Sequence, residues 1–262
     1  MKAIETLSQP QAVSMADEWF QFATADHFWM QWRHCLLIRA LRCAGGELRN
    51  VLEIGCGHGV AREMLERDLG IVVDGCDLNR TALESAKPGR GNLFVYNIMD
   101  QDASLLGRYD AVLLLDVIEH INDDAAFVRA ALQHLRPGGI VVVNVPACRM
   151  LFSDYDIVAG HVRRYTRQAV RKLLESCGVE IQGIQPWGLL MIPLLFVRKT
   201  LLRRTKQVDT IRTGFVPPNA FSRLLLNGLK KVETALPFQM PFGTSILAWG
   251  SCGSPLFEYR PS

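Results

Sequence analysis

Glu53 and the glycines Gly55, Gly57 and Gly59 are the residues of this chain whose types and spacing say most about chemistry. They belong to the run Val51-Leu52-Glu53-Ile54-Gly55-Cys56-Gly57-His58-Gly59, in which a buried strand carries an acid and then turns through glycines into a helix. Glycines there let the backbone pass close to a ligand without interference from a Cβ. The G-x-G-x-G spacing is not the G-x-G-x-x-G that presents a helix N-terminus to a pyrophosphate, and a carboxylate at Glu53 would repel such a group. A dinucleotide-dependent oxidoreductase is therefore disfavoured, and a ligand carrying positive charge is favoured. Asp77 follows Glu53 by 24 residues, at the end of Val73-Asp74-Gly75-Cys76-Asp77-Leu78. A carboxylate there can accept hydrogen bonds from both hydroxyls of a ribose. His58 reads as a helix-start residue, and Cys56 as a small turn filler rather than a nucleophile.

A second group suits acid–base work. Asp116, Glu119 and His120 fall at i, i+3 and i+4, and His161 stands in Gly160-His161-Val162-Arg163-Arg164-Tyr165-Thr166. An imidazole that titrates near neutrality can take the proton from a hydroxyl acceptor, which makes His161 and His120 the candidate catalytic residues. The alternative, that His161 only pins its loop, stays open. Asp116, Glu119, His120 and His161 together offer two carboxylates and two imidazoles, a set able to hold Mg²⁺, Mn²⁺ or Zn²⁺. Catalysis without metal is the preferred reading. Arg163, Arg164 and Tyr165 offer contacts to an acidic or sugar-like group, and Thr166 is placed to cap the next helix.

The elements that must position these residues follow from periodicity. Helical spacing of Trp19, Phe20, Phe28, Trp32, Leu36, Leu37, Ala40 and Leu41 predicts one or two helices over Met15–Cys43, stopped by Gly45-Gly46. Apolar strands are predicted at Asn50–Ile54, Val72–Asp77, Leu93–Asn97, Ala111–Leu115, Ile140–Val145 and Ser245–Gly250. Helices are predicted near Val60–Leu69, Arg80–Ser85, Ala125–Leu135, Arg167–Ser176 and Phe221–Leu236, with a turn at Arg136-Pro137-Gly138-Gly139. Strands alternating with amphipathic helices indicate a parallel sheet in an α/β fold. The expected division is a helical cap over residues 1–46, a core over 47–183 and 237–252, and a helical insertion over 184–236.

The glycine turn, Asp77, Tyr96-Asn97-Ile98-Met99-Asp100 and Tyr109-Asp110-Ala111-Val112-Leu113-Leu114-Leu115-Asp116-Val117-Ile118-Glu119-His120 together resemble the class I S-adenosylmethionine (SAM)-dependent methyltransferase family, over roughly residues 48–182 and the last strand. The resemblance implies a Rossmann-like, seven-stranded, mostly parallel sheet in the order 3-2-1-4-5-7-6 with its last strand antiparallel. It implies SAM as cofactor, whose sulfonium and ammonium suit Glu53. Glu53, Gly55, Cys56, Gly57 and Gly59 would surround the methionine part, with Asp116 at its end. Asp77 and Leu78 would adjoin the ribose, and Asn97 and Ile98 the adenine; many members carry an acid at the position of Asn97. Asp26-His27-Phe28-Trp29-Met30-Gln31-Trp32-Arg33, the Gly160–Thr166 segment and Pro241-Phe242-Gly243-Thr244-Ser245 resemble a bacterial branch linked to glycan, lipid or secondary-metabolite pathways. This implies an acceptor site drawing on His27, Trp29, Arg33, Arg164 and Tyr165. The acid-Glu-His cluster is also similar to that of small-RNA 2′-O-methyltransferases and quinone-pathway O-methyltransferases. Metal-assisted methylation of an RNA 2′-hydroxyl or a quinone-type phenol is therefore the alternative. A non-catalytic partner protein on the same fold is the rival of a different class, disfavoured by the intact cofactor motif.

Composition narrows the setting. The 262 residues suit one large α/β domain with an insertion, and seven scattered cysteines without a C-x-x-C pair argue for a reducing cytoplasm. No signal peptide and no transmembrane run is expected. Residues 1–130 hold 12 basic and 19 acidic side chains, whereas residues 131–262 hold 17 and 7. The basic half suits an anionic substrate or surface, but no RNA-binding pattern accompanies it, so a nucleic-acid partner is disfavoured. In the insertion, Trp187, Leu189, Leu190, Ile192, Leu194, Leu195, Phe196 and Val197 form an apolar stretch broken by Pro193. Arg198, Lys199, Arg203, Arg204 and Lys206 follow it, and Pro217-Pro218 marks a turn. The expectation is a helix or helical hairpin roofing a partly apolar acceptor, small or linked to lipid or glycan. Peripheral contact with the inner membrane face is secondary, and a homodimer interface is the competing use.

Overall fold

The computed structural model describes residues 3–11, 22–202, 220–236 and 240–253. Trp19, Phe20, Arg203, Arg204, Lys206 and Pro217-Pro218 lie outside the described residues. In chain order the elements are β1 (Glu5–Thr6), α1 (Phe28–Ala44), β2 (Asn50–Ile54), α2 (Val60–Leu69), β3 (Val72–Asp77), α3 (Arg80–Glu84), β4 (Leu93–Val95) and β5 (Tyr109–Leu115). They continue with α4 (Asp124–Leu132), β6 (Leu135–Pro146), α5 (Asp154–Val158), α6 (Arg167–Ser176), β7 (Val179–Trp187), α7 (Ile192–Leu202), α8 (Ala220–Ala235) and β8 (Ser245–Cys252).

One sheet runs β1-β4-β3-β2-β5-β6-β8-β7, and β8 pairs antiparallel with both neighbours. Without β1 this is the expected 3-2-1-4-5-7-6 order. The eighth strand corrects the expected seven: Glu5 and Thr6 add to the β4 edge, opposite Phe94 and Val95. A two-residue strand with no alternating pattern leaves no periodic signal.

Residue alternation sends successive side chains to opposite faces. Val51, Ala111, Leu113 and Leu115 pack with Trp32, Leu36 and Leu37 of α1 and Leu65 of α2. Leu52, Ile54, Val112 and Leu114 pack with Val128 and Leu132 of α4 and Val170 and Leu174 of α6. Burying each such Leu or Val contributes about 1.5–3 kcal/mol, so the strands are anchored while their carboxyl ends stay open to carry ligand groups.

Several boundaries differ from the periodic reading. The strand predicted to Asn97 stops at Val95, because the Asn97 side chain accepts from Met99 N at 3.1 Å and starts a short 3₁₀ turn. Arg136–Gly139 lies inside β6 as an irregularity where Leu135 pairs Tyr109 and Ile140 pairs Ala111. Residues 184–187, assigned to the insertion, complete β7, which Gly183 lets pack against Trp249: a Cβ there would meet the indole at 2.2 Å. The apolar run Ile181–Val197 is therefore strand first and helix afterwards. Thr166 caps α6 by accepting from Ala169 N at 3.1 Å.

Candidate active site

A cavity opens at the carboxyl ends of β2, β3, β5 and β6. At one end lie Glu53, Gly55, Cys56, Gly57 and Asp77; Asp116 lies between, and Glu119, His120 and His161 stand at the other. Trp29 and Arg33 of α1 and Met191 and Leu195 of the insertion also line it.

The first end is built from backbone. Gly55 turns at φ +69°, and a Cβ there would lie 2.6 Å from Val117 Cγ2, so only glycine fits. Glu53 is 4% exposed and accepts from Arg62 N at 3.0 Å. Burial pushes its carboxyl up to about 7, against a smaller downward pull from Arg33. Asp77 accepts from Gly57 N through one oxygen and Asn79 N through the other, each at 2.8 Å. Each Asp77 oxygen keeps acceptor capacity for a diol. A buried carboxylate without a full counter-charge, a turn that a Cβ would block and a two-oxygen acceptor at the β3 end fit SAM.

Asp116 occupies a left-handed backbone conformation at φ +60°, which costs a non-glycine residue about 1–3 kcal/mol. Its surroundings enforce it. Asp116 N donates to Asn144 O at 2.9 Å, Asn144 Nδ2 donates to Asp116 Oδ1 at 2.6 Å, and Arg33 Nη1 donates to Oδ2. Trp187 Nε1 in turn donates to Asn144 Oδ1 at 3.0 Å, and Trp29 packs on Trp187 with ring centroids 4.4 Å apart.

At the far end, side chains hold side chains. Glu119 is fully buried, with no hydrogen-bond partner for either carboxylate oxygen, and burial next to Asp116 pushes its pKa well up. His120 Nδ1 lies 3.2 Å from Gly160 O; burial and His161 lower its pKa to about 4, so it is neutral at working pH. The His120 and His161 rings meet edge-on, 4.9 Å between centroids. His161 Nδ1 lies 2.9 Å from Asp156 Oδ1, and its Nε2 lies 3.9 Å from Glu119 Oε1. Asp156 is fully buried and also receives Arg164 Nε at 2.8 Å and Ser153 N at 3.0 Å. Ligand atoms of Glu119, His120 and His161 lie within 4.8 Å of one another. Asp116, one of the four residues weighed for a metal beside the preferred metal-free reading, is not part of this cluster among the described residues.

Some predicted site residues stand elsewhere. Ile98 is buried in the core, and Asn97 is used in its turn, where its N–H donates to Ser8 Oγ at 2.9 Å. Neither lines the cavity, and nor does Leu78, whose carbonyl accepts from Gln11 N. Gly59 serves as the left-handed N-cap of α2. His27 caps α1, its Nδ1 accepting from Trp29 N at 3.3 Å. Tyr165 is buried, its hydroxyl donating to Asp124 Oδ2 at 2.7 Å, and Arg163 pairs with the same carboxylate. Arg164 borders the cavity but is spent on Asp156 and Ala147 O. Periodic reading missed Asn79, Tyr155, Thr244 and Asp156. The Ser153-x-x-Asp156 pattern was visible, but as a capping box it marks a helix start and hides a second use.

Known proteins place the chain in a family. A methyltransferase domain model matches residues 25–182. A Mycolicibacterium smegmatis protein named a probable S-adenosylmethionine-dependent methyltransferase is 32% identical over 169 residues, 60% of this chain and 61% of that protein. A ubiquinone biosynthesis O-methyltransferase of Alkalilimnicola ehrlichii is 33% identical over 113 residues, 39% of this chain and 44% of that protein. The matched regions thus span less than two thirds of these relatives' lengths. Haemonchus contortus phosphoethanolamine N-methyltransferase 2, solved with SAM, shares the fold at a TM-score of 0.55 and 16% identity, covering 85% of this chain and 53% of its own. The family model covers more than half of the chain, so the chain belongs to the class I SAM-dependent methyltransferase family.

Proposed function

We propose that the chain transfers the methyl group of SAM to an oxygen of a small, partly apolar acceptor, free or linked to lipid or glycan, with His161 as the base. The observation that carries this reading is the placement of His161 in the same cavity as Glu53 and Asp77, across Asp116. When bound, SAM would supply an electrophilic methyl to the acceptor oxygen, with the C–S electron pair left on sulfur. Glu53 and Asp116 hold the cationic end, and Asp77 the ribose. His161 Nε2 takes the proton the acceptor hydroxyl gives up, so that charge does not build on oxygen during transfer. Phe28, Trp29, Tyr155, Met191 and Leu195 exclude water and favour an apolar body on the acceptor. Catalysis is mainly alignment of nucleophile, methyl and sulfur. The name of the A. ehrlichii relative supports oxygen as the methylated atom.

The test is formation of S-adenosylhomocysteine from SAM with a panel of alkylated phenols, aliphatic alcohols and lipid-linked sugars. Turnover on hydroxyl acceptors, lost in His161→Gln, is the expected result. SAM binding with no turnover on any acceptor would favour the non-catalytic reading instead.

One observation favours a second reading. Neither Glu119 carboxylate oxygen has a hydrogen-bond partner, and His120 and His161 each use Nδ1 on an oxygen, the arrangement that orients imidazoles toward a metal. A divalent ion held by these three would lower the acceptor hydroxyl's pKa. Chelation separates the two: turnover that survives chelator supports the base alone, and turnover restored by Mg²⁺, Mn²⁺ or Zn²⁺ supports the ion. Membrane contact stays a subsidiary proposal for the insertion. No helix among the described residues is long and apolar enough to cross a membrane.

A further inference from the structure

The Gly160–Thr166 loop and the short helix before it contain a set of buried polar groups that the cofactor site does not need. Asp156 is fully buried, yet four donors converge on it: Ser153 N at 3.0 Å, Ser153 Oγ at 3.3 Å, Arg164 Nε at 2.8 Å and the His161 ring at 2.9 Å. The His161 backbone joins the same residue, its N–H donating to Asp156 O at 2.8 Å. Arg164 is itself only 6% exposed and is tied to the end of β6 by donation to Ala147 O at 2.9 Å. A helix N-cap would need only the two serine contacts. The arginine and the imidazole are surplus to it.

Ser153 N, Ser153 Oγ and the Arg164 guanidinium all donate to the Asp156 oxygens, so the carboxylate is surrounded by donors beside a permanent positive charge and serves as the acceptor. A nitrogen 2.9 Å from such an oxygen must carry the hydrogen. Nδ1 of His161 is therefore the N–H, and in the neutral ring Nε2 is left with its lone pair. Nε2 is also the nitrogen near Glu119, within the cavity.

We infer that Asp156 is a positioning residue for methyl transfer: through Nδ1 it fixes the tautomer and ring orientation of His161 so that Nε2 faces the acceptor as the only lone pair of the imidazole, while Arg164, anchored on β6, keeps Asp156 in place. This rests on the proposed role of His161 and extends it to two residues that never touch the acceptor. It also reassigns Arg164, which the sequence places among acceptor contacts. The linkage runs Ala147–Arg164–Asp156–His161, so the base is braced against the residue that follows β6 as well as against its own loop.

The test needs no knowledge of the acceptor for its first arm. In full-length protein labelled with ¹⁵N-histidine, with SAM bound, two-bond ¹H–¹⁵N correlation spectra report which ring nitrogen of His161 carries hydrogen; His161→Gln assigns the signal. The neutral ring is expected as the Nδ1–H form. A neutral His161 in the Nε2–H form would overturn the inference even if no Asp156 variant folds. In the second arm, Asp156→Asn is compared with Asp156→Glu on whichever acceptor is turned over. Asp156→Asn is expected to shift population toward the Nε2–H form and lower kcat at least tenfold, with SAM affinity and acceptor KM changed less than twofold. Asp156→Glu should restore part of the loss. If Asp156→Asn keeps wild-type kcat while His161→Gln is inactive, His161 is the base but Asp156 does not position it. If His161→Gln itself keeps wild-type turnover, the base assignment fails first, and the spectra still decide the role of Asp156.

Discussion

At the glycine-turn end of the cavity, backbone holds the ligand groups: the N–H groups of Gly57, Asn79 and Arg62 fix the carboxylates of Asp77 and Glu53. At the far end, Glu119, His120, Asp156, His161 and Arg164 come from three separate segments; His161 and Arg164 are held on the Asp156 side chain, with backbone support from Gly160 O, Ser153 N and Ala147 O, and the Glu119 carboxylate is held by no hydrogen bond. The two ends therefore answer mutation differently. A backbone-built end tolerates exchange of side chains beneath it but not added atoms. A side-chain-built end can be re-specified one residue at a time, which is the property a family needs to keep one cofactor and vary its acceptors.

The contrast is sharpest at His161. His161→Gln should lower turnover about 10²–10⁴-fold, the usual contribution of a positioned base, while SAM affinity by calorimetry stays within about twofold. A matching loss of SAM affinity would mean that the two ends are not separable. Asp77→Ala should do the opposite, weakening SAM by about 1–3 kcal/mol, because the ribose hydroxyls lose their acceptor. Gly55→Ala should weaken SAM at least as visibly as it destabilises the fold, since the new Cβ strains a turn at φ +69° and displaces Val117. A cost of about 1–3 kcal/mol in denaturant melts is expected.

Acidity provides a subtler comparison. Glu53 titrates at about 7 when the cavity holds no cation, raised by burial from 4.5. SAM needs the ionised form, so below pH 7 one proton must leave as SAM binds, and affinity should fall about tenfold per pH unit. The stability sign is the reverse of the usual carboxylate case. The folded pKa lies above the unfolded one, so the ligand-free protein retains the proton longer than the unfolded chain and loses stability as pH rises from about 4.5 to about 7. Glu53→Gln should flatten that part of the stability profile and remove the pH dependence of SAM binding; an unchanged binding profile would place the charge elsewhere. The smallest expected effect lies in the insertion. Leu195 lines the cavity, whereas Leu194 is 38% exposed and does not. Leu195→Ala should raise the acceptor KM about fivefold, on the order of 1 kcal/mol for its partly buried carbons, and Leu194→Ala should leave it unchanged. Equal effects would remove the assignment of this helix as a roof.

The amino-acid sequence by itself determined the alternation of strands and helices, because each strand–helix unit carries its own periodicity, while the strand order came from the family resemblance of the motifs. It also determined Glu53, Gly55, Gly57 and Asp77 as one end of the cavity, since these residues sit at strand ends and a strand end is a local property. Tertiary structure alone decided the rest. Ile98 has the same type and neighbourhood whether it faces a ligand or the core, and only the 3₁₀ turn opened by Asn97 buries it. Arg164 and Tyr165 are adjacent polar side chains in sequence, but they are spent on Asp156 and Asp124, contacts made across 8 and 41 residues. Whether a polar side chain is available to a ligand depends on what else can satisfy it when it is buried. Those partners are set by packing, not by spacing.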